Sequence, residues 1–119
     1  MDENKINING IVYIPESEKK AINDNMPFCI VRTYSAGVHI GYLAERNGKE
    51  VKLINSRRLW KWSGAFTLSE MSISGVTNPD ECKFTCVIPE IILTEAIEII
   101  PCTNKAMDCL MEVKPYVCK

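Results

Sequence analysis

The sequence predicts an α+β fold, mainly an antiparallel β-sheet in the form of a compact sheet or partial barrel, with two short helices. Segments rich in Ile, Val and Thr alternate with turn residues along most of the 119-residue chain. Asn47-Gly48 is a strong hairpin signal, because both residues tolerate positive φ. Thr67 and Glu70 form a capping box, which predicts the start of a helix.

We divide the chain into an appended N-terminal segment, 1–26, and a single α+β domain, 27–119. The first 26 residues are rich in Asn, Lys and Glu and contain a strand-like piece at 8–14. A short helix is predicted at 16–23, directly after Pro15. The length of the rest fits one domain.

Within the domain, the first strand is predicted at 28–34. The hairpin arms flank Asn47-Gly48 at 38–46 and 50–54, and the second arm is expected to continue to residue 62. Further strands are predicted at 83–88 and 91–100.

Both predicted helices have a recognisable start. The first follows Thr67 and ends at Gly75. The second follows Thr103. Their spacing predicts inward-facing side chains at Leu68, Met71 and Ile73 in the first helix, and at Ala106, Met107, Leu110 and Met111 in the second.

Composition excludes several classes of protein. The net charge of −1 argues against a protein that binds duplex DNA. The polar start Met1-Asp2-Glu3 with no following apolar run, and the shortness of all apolar stretches, predict a cytoplasmic protein without a membrane span. We therefore expect the six cysteines to be reduced thiols.

The basic and aromatic run at 57–65 is the strongest candidate for a binding site. Alternation on a strand places Arg58, Trp60 and Trp62 on one face, and Arg57, Leu59 and Lys61 on the other. Guanidinium groups beside indole rings suit a nucleotide, since they stack on bases and hold phosphates. The alternative is core packing, which is the usual role of at least one tryptophan in a domain of this size.

The segment 34–39 is a second candidate. Its small residues leave the backbone accessible to a ligand, while an aromatic ring and an imidazole flank them. The alternative is a tight corner between two strands. The candidate residues are Tyr34, Ser35, Ala36, Gly37 and His39.

Catalytic and metal-binding motifs are missing from the sequence. His39 is the single histidine, and no hydrolase elbow or phosphate-binding loop is present. Cys82 and Cys86 lie four residues apart, but Cys102 and Cys109 are too widely spaced to complete a structural zinc site. We predict a protein that is not an enzyme and that needs no metal or cofactor.

The segments 32–39, 57–60, 62–65 and 92–103 together resemble a large family of small phage and prophage proteins described only as a domain of unknown function. The resemblance covers about residues 28 to 112. It implies a phage counter-defence factor, and one class of such factors is the nucleotide sponge. A sponge is a homo-oligomer that traps the cyclic nucleotide or cyclic ADP-ribose signals of CBASS and Thoeris immunity without cleaving them.

A sponge of this kind would act in the cytosol of the infected host, as a dimer to hexamer, with a cyclic nucleotide as its small-molecule partner. Trp60 or Trp62, together with Tyr34, would stack on purines. Arg57 or Arg58 would hold phosphates. The base edges would be recognised by Ser35, His39 or Thr94.

Three alternatives remain open from the sequence. The tryptophan and arginine face could inhibit a host protein by direct contact, using the residue types that dominate protein interfaces. A sheet with exposed aromatic rings could instead bind single-stranded nucleic acid. The protein could also degrade a nucleotide signal.

Overall fold

The computed structural model describes residues 6–8, 11–13, 20–65 and 67–116. In these residues the strands are β1 (Ile6–Ile8), β2 (Ile11–Tyr13), β3 (Ile22–Asn23), β4 (Met26–Thr33), β5 (Val38–Asn47), β6 (Glu50–Lys61), β7 (Lys83–Phe84), β8 (Ile88–Leu93) and β9 (Ala96–Pro101). The helices are α1 (Leu68–Ser74) and α2 (Asn104–Glu112), and a 3₁₀ turn spans Pro79–Glu81.

The domain is built on an antiparallel sheet of seven strands, β3 to β9, and β1 and β2 pair with each other separately. β5 lies at its centre, between β4 and β6. β3 and β9 pair with the outer edge of β4, while β7 and β8 pair with the outer edge of β6. β8 and β9 are joined by two residues although they lie at opposite edges, so the sheet curls into a half-barrel. The predicted α+β class is confirmed.

The helices cover one face of the sheet, which we call the helix face. Its buried residues form a cluster with the helices that includes Ile30, Ile40, Phe84, Met71 and Leu110. These large side chains are withdrawn from water between the two layers, and this burial stabilises the domain.

A second cluster lies on the opposite face. It joins Val31 of β4 and Leu53 of β6 to Leu93 of β8 and Ala96 of β9. Because strands from both edges of the sheet meet in this cluster, the sheet curls toward this side, which we call the concave face.

A bulge in β6 determines which residues reach the concave face. Tyr42 pairs with Ile54 but Ile40 pairs with Arg57, so β6 has one extra residue between these two pairs. Asn55 lies there with φ 51°. The extra residue reverses the alternation, so the side chains that follow the bulge at even positions join Leu53 on the concave face.

The turn and cap predictions are confirmed. Asn47-Gly48 closes the β5–β6 hairpin, with φ 62° at Gly48. The Thr67 hydroxyl accepts a hydrogen bond from the Glu70 amide at 3.0 Å, and the Thr103 hydroxyl accepts one from the Ala106 amide at 3.1 Å.

The inward faces of the helices are predicted correctly except at one position. Met71, Ala106 and Leu110 are buried, and Leu68 packs against the same cluster. Ile73, however, is exposed, so its predicted inward orientation is wrong.

Four other predictions need correction. The strand-like piece at 8–14 contains the end of β1 and all of β2, which pair with each other. The strand predicted at 83–88 is interrupted, because β7 ends at Phe84 and β8 begins at Ile88. Ile22 and Asn23 belong to β3, so the helix predicted at 16–23 is wrong at its end, and residues 14–19 lie outside the described residues. The strand predicted at 91–100 is two strands, β8 and β9, because the chain turns at 94–95. That turn is held by backbone hydrogen bonds of 3.0 Å from Tyr34 to Glu95 and from Ala96 to Lys49.

Neither helix in the described part of the chain is long and apolar enough to cross a membrane.

Candidate functional site

The basic and aromatic run lies on β6, and its side chains are divided between the two faces of the sheet. Arg58 and Trp60 are exposed on the concave face, whereas Arg57 and Leu59 are buried on the helix face. This division follows the alternation predicted from the sequence for these four residues. Lys61 departs from it, because a second register shift opposite β7 turns this side chain outward as well.

The guanidinium of Arg57 is enclosed by the protein, and the residue is 1% exposed. Its Nε donates to the Thr85 carbonyl at 2.8 Å and its Nη1 donates to the Leu110 carbonyl at 2.9 Å. Its Cζ lies 5.3 Å from the centre of the Phe84 ring. Burial lowers the pKa of Arg57 from its ordinary value. Arg57 cannot reach a ligand from this position, so the expectation that it holds a phosphate is wrong.

The Leu110 carbonyl explains why an arginine is buried here. It lies in the last turn of α2, where carbonyls have no partner within the helix and the helix dipole is negative. The Arg57 guanidinium supplies the missing hydrogen-bond donor and places a positive charge at the negative end of the helix dipole. Arg57 therefore holds α2 against the sheet.

Trp60 is 67% exposed and belongs to a small group of side chains that we call the aromatic–lysine cluster. Its ring meets Tyr116 edge to face, with centres 5.6 Å apart. The Nζ of Lys83 lies 5.7 Å from the centre of the Trp60 ring and 4.8 Å from that of Tyr116. The cluster therefore offers flat rings and a cation to the same ligand.

The aromatic–lysine cluster was missed by the sequence analysis, which found only Trp60. Tyr116 reaches Trp60 because its amide donates to the Phe84 carbonyl at 2.8 Å, which places this residue beside β7. Lys83 reaches it because β7 pairs with the end of β6. Neither pairing leaves a local signal in the sequence.

Trp62 follows the end of β6 and packs, half-buried, against the helix-face cluster. It does not share the exposed position of Arg58 and Trp60, so its predicted place on their face is wrong. Trp62 takes the core role, which was the alternative considered for one of the two tryptophans.

A cavity of about 190 Å³ opens on the concave face beside Arg58. We call it the His39 cavity. Arg58 lies directly opposite His39 on the neighbouring strand. The cavity is lined by His39, Ser56, Arg58, Thr85, Ile88 and Ile91.

His39 is 1% exposed and its two ring nitrogens differ. Nε2 lies 3.0 Å from the Ala36 carbonyl oxygen, while Nδ1 is buried without a hydrogen-bond partner among the described residues. Loss of solvation lowers the pKa of His39. The Ala36 hydrogen bond raises this pKa and the nearby positive charge of Arg58 lowers it, and the net direction is down. The imidazole is therefore neutral at physiological pH.

The 34–37 loop is closed by its own hydrogen bonds. The Ala36 amide donates to the Thr33 hydroxyl at 2.9 Å, and that hydroxyl donates to the Gly37 carbonyl at 2.7 Å. The positive φ of Gly37, 85°, makes this tight corner possible. Because the Ala36 amide is already used, it is not free to bind a ligand.

Tyr34 and Ser35 lie at the turn between β8 and β9. The Ser35 hydroxyl donates to the Glu95 carboxylate at 2.9 Å. Tyr34 is 77% exposed and lines a cavity of about 240 Å³ with Lys49, Glu95 and Ile97. Thr94 is exposed in the same turn.

Six of the ten predicted site residues therefore fall into three groups. Tyr34, Ser35 and Thr94 lie at the β8–β9 turn. His39 and Arg58 form part of the His39 cavity, and Trp60 belongs to the aromatic–lysine cluster. Trp60 lines neither of the two cavities. A further cavity of about 390 Å³ beside Tyr116 is lined in part by Asp80, Cys82, Cys109, Glu112 and Lys114.

The thiols near this last cavity are engaged with the backbone. Cys109 donates to the Val76 carbonyl at 3.2 Å, and Cys82 lies 3.5 Å from the Asn78 carbonyl. Burial raises the pKa of Cys82. In the part of the chain that the structure describes, no three His, Cys, Asp or Glu side chains are grouped to hold a metal ion.

Comparison with known proteins gives one result. A family model described as a domain of unknown function, DUF6948, matches residues 26–110. No curated protein and no solved structure matches the chain.

Proposed function

The chain belongs to the DUF6948 family, and we propose that it binds and sequesters a cyclic nucleotide or cyclic ADP-ribose-type signal without cleaving it. The observation that carries this proposal is the exposure of Trp60 beside Lys83 and Tyr116. An indole that is two-thirds exposed and lies beside a cation matches the two parts of a nucleotide, a flat base and an anionic phosphate.

The neighbouring side chains extend this surface along β6. Arg58 lies two residues before Trp60 on the same concave face, and its side chain is exposed. Its backbone amide donates to the Thr85 hydroxyl at 2.8 Å, which fixes the strand at this point. Arg58 and Lys83 thus place two positive charges beside one exposed ring, and we assign the phosphates to them.

The energies indicate that one chain is not sufficient for tight sequestration. One base stack and two charge-assisted hydrogen bonds supply about 4–9 kcal/mol before association costs. A nanomolar complex needs about 12 kcal/mol. A second copy that presents its own Trp60 and Arg58 to the same ligand would close this gap, so the proposal includes a homo-oligomer.

The chemistry of the site favours binding over cleavage. His39 is the single histidine of the chain, and it is buried with Nε2 engaged by the Ala36 carbonyl. Arg58, Lys83 and Trp60 would hold and orient a ligand by charge and by stacking. The assignment to phage counter-defence in an infected host rests on the resemblance to phage proteins.

The test is isothermal titration calorimetry of the full chain with cyclic di-AMP, cyclic di-GMP, cyclic GMP-AMP and cyclic ADP-ribose. We expect at least one ligand to bind and to raise the melting temperature, since ligand at one hundred times Kd adds about 2.7 kcal/mol of stability. Trp60→Ala should abolish this binding, and chromatography of the denatured complex should return the ligand intact.

Arg46→Ala is the matched control, because it removes an exposed arginine whose Nε donates to the Gly48 carbonyl in the β5–β6 turn. It should bind as the wild type does. Binding that survives Trp60→Ala, or a ligand that is recovered cleaved, would contradict the proposal.

A second candidate function is inhibition of a host protein by direct contact. It is favoured by the position of Trp60 outside the walls of the His39 cavity, since exposed tryptophan and tyrosine residues often dominate protein interfaces. If none of the four ligands binds, while Trp60→Ala abolishes the capture of a host protein that Arg46→Ala retains, this second function is correct and the first is wrong.

A further inference from the structure

We propose that the His39 cavity is a base-recognition pocket that takes the amino edge of an adenine, while Arg58 holds the attached phosphate and Trp60 stacks on the second base of a dinucleotide. This inference rests on the proposed function, and it adds the class of base that the protein prefers.

The protonation of His39 defines what the pocket can recognise. The Ala36 carbonyl oxygen, 3.0 Å from Nε2, only accepts hydrogen bonds, so Nε2 must carry the hydrogen. Nδ1 of the neutral ring is then a lone-pair acceptor. Within the described part of the chain it is buried without a hydrogen-bond partner, a state that costs stability unless a donor is supplied.

The two hydroxyls of the cavity already make one hydrogen bond each. The Ser56 hydroxyl donates to the Ile40 carbonyl at 2.8 Å. The Thr85 hydroxyl oxygen accepts the amide of Arg58. Among the described residues, Nδ1 of His39 is buried with no donor while its residue lines the cavity, so we infer that the missing group is an N–H or O–H of a ligand.

The size and walls of the cavity suit one flat ring. Its volume of about 190 Å³ equals roughly six water molecules at about 30 Å³ each, which accommodates a single base and not two. Ile88 and Ile91 supply apolar contacts for the faces of the ring. The second base of a dinucleotide must therefore bind elsewhere.

The order of side chains along β6 indicates where the rest of the ligand lies. His39 and Arg58 are direct cross-strand neighbours. Arg58 and Trp60 follow each other at alternate positions on the same face, roughly 6.5 Å apart along the strand. The strand therefore presents a base pocket, a phosphate site and a stacking ring in succession.

The acceptor at Nδ1 distinguishes the two purines. Adenine has an N6 amino donor at the position where guanine has the O6 acceptor. Nδ1 attracts the first group and repels the second, so a purine that enters with its position 6 toward Nδ1 should be adenine.

The experiment compares cyclic di-AMP with the matching cyclic dinucleotide of purine riboside, whose base lacks the amino group and, like adenine, has no hydrogen on N1. We expect calorimetry of the full wild-type chain to show about tenfold tighter binding of cyclic di-AMP, the usual effect of one buried hydrogen bond. His39→Leu, which removes the acceptor, should reduce this preference to less than about twofold. His39→Gln, which restores an acceptor, should recover part of it.

A spectroscopic readout covers the case in which His39→Leu fails to fold. Because the chain has one histidine, its two ring ¹⁵N resonances are unambiguous. We expect cyclic di-AMP to shift the Nδ1 resonance upfield, as a lone pair gains a hydrogen bond, and to leave the Nε2 resonance in place.

Each outcome bears on a separate claim. Equal affinities for the two dinucleotides, or an Nδ1 resonance that cyclic di-AMP does not move, would overturn this inference and leave the proposed function intact. Failure of both dinucleotides to bind the wild-type chain, although another of the four ligands binds, would likewise reject only the adenine pocket. Failure of every ligand would overturn both proposals together.

Discussion

Arg57 and Arg58 are adjacent on β6, but one belongs to the core and the other to the surface. Arg57 is 1% exposed and donates to two backbone carbonyls, those of Thr85 and Leu110. Arg58 faces away from the helices, with its side chain in solvent beside the His39 cavity. The same residue type is therefore bonded inside the fold at one position and exposed to solvent at the next.

The comparison extends to the two faces of the sheet. On the helix face, Phe84 and Leu59 are covered by α1, α2 and the segment that follows α2. On the concave face the helices are absent, so Trp60 stays exposed although it is as large and apolar as the residues behind it. The exposure of this ring is the basis of the binding role that we propose for the concave face.

The largest expected difference between the faces is in how much the free energy of unfolding falls when an aromatic residue is removed from each. Phe84→Ala should lower the free energy of unfolding by about 3–5 kcal/mol, because it leaves a cavity in the core. Trp60→Ala should cost less than about 1 kcal/mol, since its ring is mostly in solvent. Urea denaturation of both variants measures this. Similar losses in the two variants would show that Trp60 belongs to the core.

The next largest difference in the free energy of unfolding is expected between substitutions of the two arginines. Arg57→Leu should lower the free energy of unfolding by about 2–4 kcal/mol, because the Thr85 and Leu110 carbonyls lose a charged donor. Arg58→Leu should change it by no more than about 0.5 kcal/mol. Denaturant titration of both variants gives the values, and Arg57→Lys tests whether charge without the guanidinium fork is enough. A stable Arg57→Leu protein would contradict the structural role.

The smallest difference is expected between buried and exposed cysteines, in how steeply the free energy of unfolding falls at alkaline pH. Burial raises the pKa of Cys102 to about 12 and that of Cys29 to about 11, both from an ordinary value of 9.0. The unfolded thiols lose their protons near pH 9, whereas the folded thiols keep theirs, so stability falls as pH rises from 9 toward 12. From pH 9 to pH 10 the loss should approach about 1 kcal/mol for each buried thiol.

Melting temperatures between pH 8 and pH 10.5 measure this effect. Cys102→Ala should fall less steeply than the wild type, and Cys86→Ala, which changes an exposed thiol, should follow the wild-type curve. Identical slopes in all three proteins would show that the burial of Cys102 does not control the alkaline loss of stability.

Local signals gave the correct parts of the fold. Asn47-Gly48, Thr67 and Thr103 each act through groups within four residues, so their turn and caps were predicted and are present. The opposite orientations of Arg58 and Leu59 also followed from alternation alone. The break at 94–95 was not predicted, because it depends on hydrogen bonds to Tyr34 and Lys49, which are distant in the sequence.

In the candidate site, too, the features that depend on neighbouring residues were predictable and those that depend on distant segments were not. The residue types of the run at 57–62 were enough to predict a strand with one arginine on each face. Only the packed molecule decided that α2 would cover Arg57, that Tyr116 and Lys83 would reach Trp60, and that His39 would form part of a cavity. Alternation and capping depend on near neighbours, whereas burial and cavity shape depend on which distant segments meet when the sheet curls and the helices dock.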